Sequence, residues 1–354
     1  VKKIVSIVFI VLLLSGCWDE RPNKDIAIVP MIGFDGEIGE LKGYFGIPGQ
    51  QQNAGEFSFL KAEGASVEEV RQKIDLQVSE GVDLSKLSSI LISDQLAEHD
   101  LYSLLDMYYR NARNRLNTSM LITEGSAEPF IKYGEKMGGN VNNYYSQLVK
   151  GFVQKSIFPD IDLQLACSYL LDEGIDLVLP YIKISNENDV PEVGGLALFD
   201  EGNFTGKTLK REESILLNVM MDKIGKYAYI TYMDKNVPVT INIKQINKDM
   251  KWDGTTIHID YKIKIGIMEY YKNDFQNKER KKELEKFLQQ KLTTDMEKIV
   301  KILHDANSDA LGLGRIARAF HQDLFEEGKW KDIYPTLTIV PKVSINITDT
   351  GVMD

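Results

Sequence analysis

The sequence predicts an α/β protein, mixed α+β in layout and multi-domain, with mixed sheets packed by helices. Three observations predict it. In the first half, short apolar runs alternate with stretches whose apolar residues recur at helical spacing. In the last third, Val237, Val239, Ile241 and Ile243 alternate with polar neighbours, as do Ile257, Ile259, Tyr261, Ile263, Ile265 and Ile267. Successive side chains of a strand point to opposite faces, so both runs read as long half-buried strands. Between residues 277 and 304, Leu284, Phe287, Leu288, Leu292, Met296, Ile299 and Leu303 recur at helical spacing on a charged background, which predicts one long amphipathic helix.

The chain has 354 residues, 43% hydrophobic and 27% charged, enough for two or three folded domains. Its formal charge is −10, and it becomes −12 once residues 1–16, which hold Lys2 and Lys3, are set aside. Such a surface repels polyanions, which excludes nucleic acid as a partner and argues against adhesion to anionic headgroups. The two cysteines are Cys17 and Cys167. Cys167 lies in the apolar-rich run 163–171 and reads as a small core residue, so stability must come from an ordinary hydrophobic core.

Taken in order, residues 1–16 read as a lipoprotein signal peptide: Lys2 and Lys3, an apolar run over 4–14, then Leu14-Ser15-Gly16-Cys17. The run is too short to span a bilayer, since residues 4–16 reach about 20 Å as a helix against a hydrocarbon core of about 30 Å. Leu-Ser-Gly before a cysteine is a lipobox pattern, so Cys17 is the predicted lipidation site. Cleavage leaves it at the N-terminus with a diacylglyceryl group on its thiol. Two acyl chains matter, because one chain alone holds a protein to a membrane only marginally. Trp18 suits the headgroup level and residues 19–24 are polar, so 17–25 reads as a short tether.

An N-terminal α/β domain is predicted over 26–190. Residues 26–34 read as a strand closed by Asp35-Gly36, and 43–47 as a second. Ser66 caps a helix running towards Glu80, with Glu69 completing a capping box and Val67, Val70, Ile74 and Val78 forming its apolar stripe. A strand at 90–92, a helix over about 95–115, a strand at 120–123 and a short helix at 127–133 follow. Residues 134–145 read as a polar loop, 160–171 as helix and 178–184 as strand.

The polar run 185–192 places a domain boundary, and 191–235 reads as a small middle module. There, 194–199 and 204–209 flank Asp200-Glu201-Gly202-Asn203, a hairpin signal; 212–224 reads as helix and 227–232 as strand. The C-terminal α/β domain, 236–354, holds the two long antiparallel-type strands and the long helix. A third strand alternates through Leu337, Ile339, Val343, Ile345 and Ile347, and Pro341, which lacks an amide donor, marks an edge or a bulge.

No catalytic, metal-binding or cofactor-binding residue is predicted. His99, His258, His304 and His321 fall on different elements with no pair at ligand spacing, and no Gly-x-Ser-x-Gly is present. Residues 202–208 resemble a phosphate-binding loop one residue too short, in a hairpin rather than a strand-to-helix context. Residues 312–317 fit the loose Gly-x-Gly-x-x-Ala dinucleotide pattern, but no strand precedes them; Gly312 and Gly314 read as backbone hinges before a new helix. Arg110, Arg113 and Arg115, and the tyrosine pairs 108–109 and 144–145, read as solvated helix face and core or rim.

With these residues laid out, the sequence resembles the Ger(x)C family, the C-subunit lipoproteins of bacterial spore nutrient-germinant receptors. The resemblance covers essentially the full length. It rests on Cys17-Trp18-Asp19 with Asp25-Ile26-Ala27, Gly33-Phe34-Asp35, Gly64-Ala65-Ser66 with Glu69, and Leu105-Asp106 with Arg110 and Arg113. It continues in the 309–314 turn, with Asp309, Gly312 and Gly314, and in Ile345-Asn346-Ile347-Thr348 with Gly351. Pro22-Asn23-Lys24 and Lys86 depart from the family pattern. The resemblance implies three α/β domains without catalytic activity, in a lipoprotein on the outer face of the spore inner membrane. It also implies membrane-embedded A and B subunits as partners, with germination as the output. The residues alone equally permit a solute-binding lipoprotein that delivers a small ligand to a transporter. Trp18, Asp19, Asp309, Gly312 and Gly314 are motif positions to which the sequence assigns no role.

Overall fold

A computed structural model of the chain describes residues 26–49, 57–137, 143–272, 275, 277–325 and 329–350. The predicted signal peptide, Cys17, Trp18, Asp19 and the tether lie outside the described residues. Strands β1 (Ile26–Ile28), β2 (Met31–Glu37), β3 (Glu40–Pro48) and β4 (Phe57–Gly64) come first. Helix α1 (Val67–Asp75) and strands β5 (Gly81–Asp83) and β6 (Ser89–Ser93) follow. Ser66 caps α1 by accepting from the Glu69 amide at 3.2 Å, while the Glu69 carboxylate reaches back to the Ala65 amide at 2.8 Å. The capping box is therefore present, with its return bond one residue earlier than the usual pattern.

The predicted helix over 95–115 is two helices, α2 (Asp94–Ala97) and α3 (Leu101–Arg110). Asp100 starts the second by accepting from the Tyr102 amide at 3.0 Å, a cap inside what reads as one periodic stretch. Next come β7 (Ser119–Thr123), α4 (Glu128–Met137), α5 (Tyr144–Gln154), α6 (Leu163–Leu170) and β8 (Val178–Ile184). Neither α5 nor β4 is anticipated from the sequence. The polar stretch before α5 hides its start, and β4 is a half-buried edge with little apolar contrast.

Strands β9 (Pro191–Asp200) and β10 (Asn203–Leu209) precede helix α7 (Arg211–Met220). The resulting eight-stranded sheet has the order β10-β9-β8-β7-β6-β2-β3-β4. Its centre, β2, β6, β7 and β8, is parallel, and an antiparallel pair borders each side. Ile90, Leu91, Ile92, Met120, Leu121 and Ile122 are all fully buried, as strands covered on both faces require. A separate two-stranded parallel pair joins β1 to β5.

The boundary placed at 185–192 falls in the turn that joins β8 to β9. There the Ser185 amide bonds the Val190 carbonyl at 2.9 Å and Asp189 turns through φ 54°. Residues 191–235 are accordingly shared out: β9 and β10 complete the large sheet, whereas β11 (Tyr229–Asp234) belongs to the next one.

That second large sheet has the order β11-β12-β13-β14, from β12 (Val237–Asp253), β13 (Thr256–Glu269) and β14 (Thr338–Asp349). Helix α8 (Lys278–Asp305) crosses between the last two, followed by α9 (Leu313–Phe320) and α10 (Trp330–Ile333). The first three strands are antiparallel as the sequence suggests, but β14 pairs with β13 in parallel. Length explains this correction. The 28 residues of α8 span about 42 Å, close to the reach of the 14-residue β13, so the chain returns to where β13 began and pairs Thr338 with Thr256. Pro341 lies on this edge strand, where a missing donor is tolerated. Leu284, Leu288, Leu292, Met296, Ile299 and Leu303 are buried, each contributing roughly 1.5–3 kcal/mol. Phe287 is half-buried.

Candidate functional site

The motif positions Asp309, Gly312 and Gly314 form one turn between α8 and α9. Past the helix end, Asn307 adopts φ 49° and the Ser308 amide bonds back to the Leu303 carbonyl at 2.9 Å. Gly312, at φ 69°, then redirects the chain into α9, a conformation a side chain at that position rarely allows. A glycine offers no capping side chain, so the first amides of α9 need another acceptor. Asp309 supplies it. Its Oδ1 accepts from the Leu313 amide at 2.9 Å, and its Oδ2 from the Gly314 amide at 2.8 Å and the Trp330 indole Nε1 at 3.0 Å.

The turn docks on the first half of the chain. The Asp309 amide donates to Asp176 Oδ2 at 2.6 Å, and the Asp176 amide donates to the Asp309 carbonyl at 3.0 Å. Asp176 Oδ1 accepts from the Glu201 amide at 3.0 Å. Glu201 and Gly202 both have positive φ, the two-residue hairpin turn that the sequence signals between β9 and β10. The phosphate-loop-like stretch is thus that hairpin.

Lys331, from α10, is the cation of this joint. Its ammonium pairs with Asp176 Oδ2 and, at 2.6 Å, with Asp200 Oδ1, and it donates to the Asn307 carbonyl at 3.1 Å. Asn307 Nδ2 in turn donates to Asp200 Oδ2 at 3.1 Å. The side chains of Asp176 and Lys331 are only 4% and 14% exposed, so this pair is largely withdrawn from water. Desolvation opposes the ammonium, but the two carboxylates raise the Lys331 pKa above that of an ordinary lysine. Burial pushes Asp176 upward, and the pull of Lys331 only partly offsets it.

Gly314 completes the fit. A Cβ there would stand 2.6 Å from both the Gly174 Cα and the Trp330 Nε1, so only glycine lets the two backbones approach. The Arg315 amide donates to the Gly174 carbonyl at 3.0 Å. Outside this contact, Asp172 accepts from Arg315 Nε at 2.7 Å and from Arg318 at 2.8 Å. Partial burial alone would raise Asp172; the Gly174 amide and the two guanidiniums outweigh it and hold the carboxyl low.

Asp309 itself is fully buried. Burial pushes its carboxyl up to about 7, against the downward pull of its N–H donors. The folded chain therefore holds a proton that the unfolded chain, with an aspartate near 3.9, gives up. The stability tied to that proton is complete below about pH 4 and is lost as the pH rises through about 7. The thermal midpoint should fall between pH 5 and 8, and fall less in Asp309→Asn. Parallel pH profiles for the two proteins would show that Asp309 is not the titrating group.

The joint brings together Asp309, Gly312 and Gly314, which the sequence singles out, with Asp172, Asp176, Asp200, Trp330 and Lys331, which it does not. Apart from the hairpin signal that contains Asp200, no local signal marks the second group, since their partners lie far along the chain. His304 packs edge-on against Tyr334 at 5.2 Å and His321 stacks on Trp252 at 4.5 Å. Among the described residues, no group of three or more side chains is placed to hold a metal ion. The chemistry of the site is attachment: charges and amides of the 307–331 segment are satisfied by residues between 172 and 200.

Family models divide the chain at the turn between β8 and β9. The spore germination protein N-terminal domain matches residues 19–184, and the spore germination B3/GerAC-like C-terminal domain matches residues 194–351. Spore germination protein KC of Bacillus subtilis (strain 168) is 23% identical over 382 aligned positions, covering 96% of this chain and 93% of that protein. The crystal structure of the GerBC protein superposes with a TM-score of 0.59 at 16% identity, over 90% of this chain and 97% of that one, and so shares the fold. Matched along both halves, the chain belongs to the Ger(x)C family of spore germination proteins, as a GerC-type subunit.

Proposed function

We propose that this protein is the lipid-anchored subunit of a spore nutrient-germinant receptor. It is held on the outer face of the spore inner membrane by a diacylglyceryl group on Cys17 and acts with membrane-embedded A and B subunits in assembly and signalling. The observation that carries the reading is the family match over both halves, which begins at residue 19, two positions beyond the lipobox cysteine. Physical arguments support it. Among the described residues no helix is long and apolar enough to cross a membrane, and the net negative charge disfavours simple adhesion to anionic lipid. Membrane residence then falls to the acyl chains and to protein partners. In this reading the nine residues 17–25 keep β1 within about 30 Å of the acylated residue.

Cys17→Ser tests the anchor. The variant should lose palmitate labelling and leave the membrane fraction; retained label and sedimentation would overturn the lipidation. Deleting the gene tests the receptor role. The response to one nutrient class should disappear while other triggers still work, and normal germination across a broad nutrient panel would remove the reading.

A further inference from the structure

A strand at the edge of a sheet has backbone N–H and C=O groups without partners on its outer side, and folded proteins blunt such edges with proline, lysine, bulges or covering side chains. Three of the four outer strands of the two larger sheets are treated in this way. On β4, Lys73 and Gln77 donate to the Glu63 and Lys61 carbonyls at 2.8 and 3.0 Å. On β10, the pairing with β9 is irregular between Phe204 and Thr208, a stretch that holds Gly206 and Lys207. On β14, Pro341 has no amide to offer, and the Ile347 amide donates to Glu285 of α8 at 3.1 Å.

The fourth outer strand, β11, has none of these devices. Its run Tyr229-Ile230-Thr231-Tyr232-Met233-Asp234 contains no proline, glycine or lysine and pairs with β12 in unbroken register. The Ile243 amide donates to the Ala228 carbonyl at 3.0 Å, and bonded pairs alternate along an antiparallel ladder. Ile230 and Tyr232 therefore turn their backbone groups towards β12, while Tyr229, Thr231 and Met233 turn theirs outward. The Thr231 and Thr240 hydroxyls, 2.9 Å apart, fit the closely spaced unbonded pair that this alternation places there. Among the described residues, nothing hydrogen-bonds to the outward groups. The side chains of the same three residues stand on the open face of the sheet, with Tyr229 42% and Met233 57% exposed.

We propose that β11 pairs with β11 of a second copy of this chain, antiparallel about a two-fold axis at Thr231, so that the two copies' sheets join edge to edge. The strand is complementary to itself in that register. Thr231 faces Thr231, and Tyr229 of each copy faces Met233 of the other, so every outward amide meets a carbonyl and each ring meets a thioether on the open face. Asp234, the one charged residue of the strand, falls opposite the copy's Ala228, and no like charges meet. Size sets the strength of the contact. A strand of 6 residues is about 20 Å long, and pairing over that length alone falls short of the ~1,600 Å² of a standard interface. The dimer is therefore weak and concentration-dependent, and the test traps it covalently. The inference does not depend on the receptor reading above.

The experiment uses the full chain in spores, with Cys167→Ser removing the free cysteine of the described residues. Facing residues of a bonded antiparallel pair have Cα atoms about 5.5 Å apart, within disulfide reach, so Thr231→Cys should give a disulfide-linked dimer under mild oxidation. Cys167→Ser alone, and Lys262→Cys at an exposed position of β13, should give none. Differently tagged copies carrying Tyr229→Cys and Met233→Cys should cross-link to each other about fivefold more than either does to itself, as the antiparallel register requires. Met233→Lys, which sets a lysine on the edge, should lower the Thr231→Cys dimer about tenfold while the unfolding midpoint stays unchanged. Five outcomes would overturn the proposal: no dimer from Thr231→Cys, an equal dimer from Lys262→Cys, cross-links only to a different protein, no preference for the Tyr229–Met233 combination, or a yield indifferent to Met233→Lys. None of them touches the receptor reading, which stands or falls on the deletion phenotype.

Discussion

Asp309→Ala should destabilise the protein by about 3 kcal/mol, far more than the roughly 1 kcal/mol typical of losing a helix cap. The difference lies in what is left behind. Three N–H groups, on Leu313, Gly314 and Trp330, lose their acceptor in a place where water does not reach, and each unpaired buried donor costs about 1–3 kcal/mol. Relief of the buried carboxylate returns part of that sum, since the raised pKa of Asp309 shows that holding its charge is itself unfavourable. Urea unfolding followed by tryptophan fluorescence reads the change directly, because Trp330 is one of the three tryptophans and is 1% exposed. A loss below about 1 kcal/mol would mean that water or a rearranged turn replaces the carboxylate, and the joint would not depend on it.

Lys331→Met should cost about 3–5 kcal/mol, the usual penalty for removing one partner of a buried ion pair. Asp176 and Asp200 would then share a confined space without their common cation. Methionine keeps most of the stem volume, so lost packing adds little. The two carboxylates give the prediction a second arm. Burial already raises the Asp176 pKa, and without the ammonium it must rise further. A carboxyl with a raised folded pKa stabilises the fold as the pH falls, so the deficit of Lys331→Met should shrink between pH 7 and pH 5. Asp176→Asn in the Lys331→Met background should restore part of the stability at neutral pH. A deficit unchanged by pH and by Asp176→Asn would assign the effect to α10 packing instead of charge.

Most of the elements were legible because they depend on neighbours within a few residues. The stripe from Leu284 to Leu303, the alternation from Ile257 to Ile267, the Ser66 cap and the Glu201-Gly202 turn each declare themselves within one or two turns of chain. Where reading failed, a local cue had two meanings. Asp100 breaks a periodic stretch by capping its second half, so that one run of helical spacing holds two helices. The direction of β14 is in neither class, since it follows from the length of α8 matched against β13.

By itself the sequence determined the α/β class, the long helix with its strands and the hairpin at Gly202, and it marked Asp309, Gly312 and Gly314 only as motif positions without a role. The lipobox pattern that ends at Cys17, on which the proposed anchor rests, is likewise read from adjacent residues, with no fold required. Tertiary structure alone decided what those motif residues do. Asp309 meets Asp176 across 133 positions and Lys331 meets Asp176 across 155, and no periodicity reaches that far. The reason is physical: elements arise from local torsions and spacing, whereas a buried charge finds its partner only once the sheets have brought distant segments together.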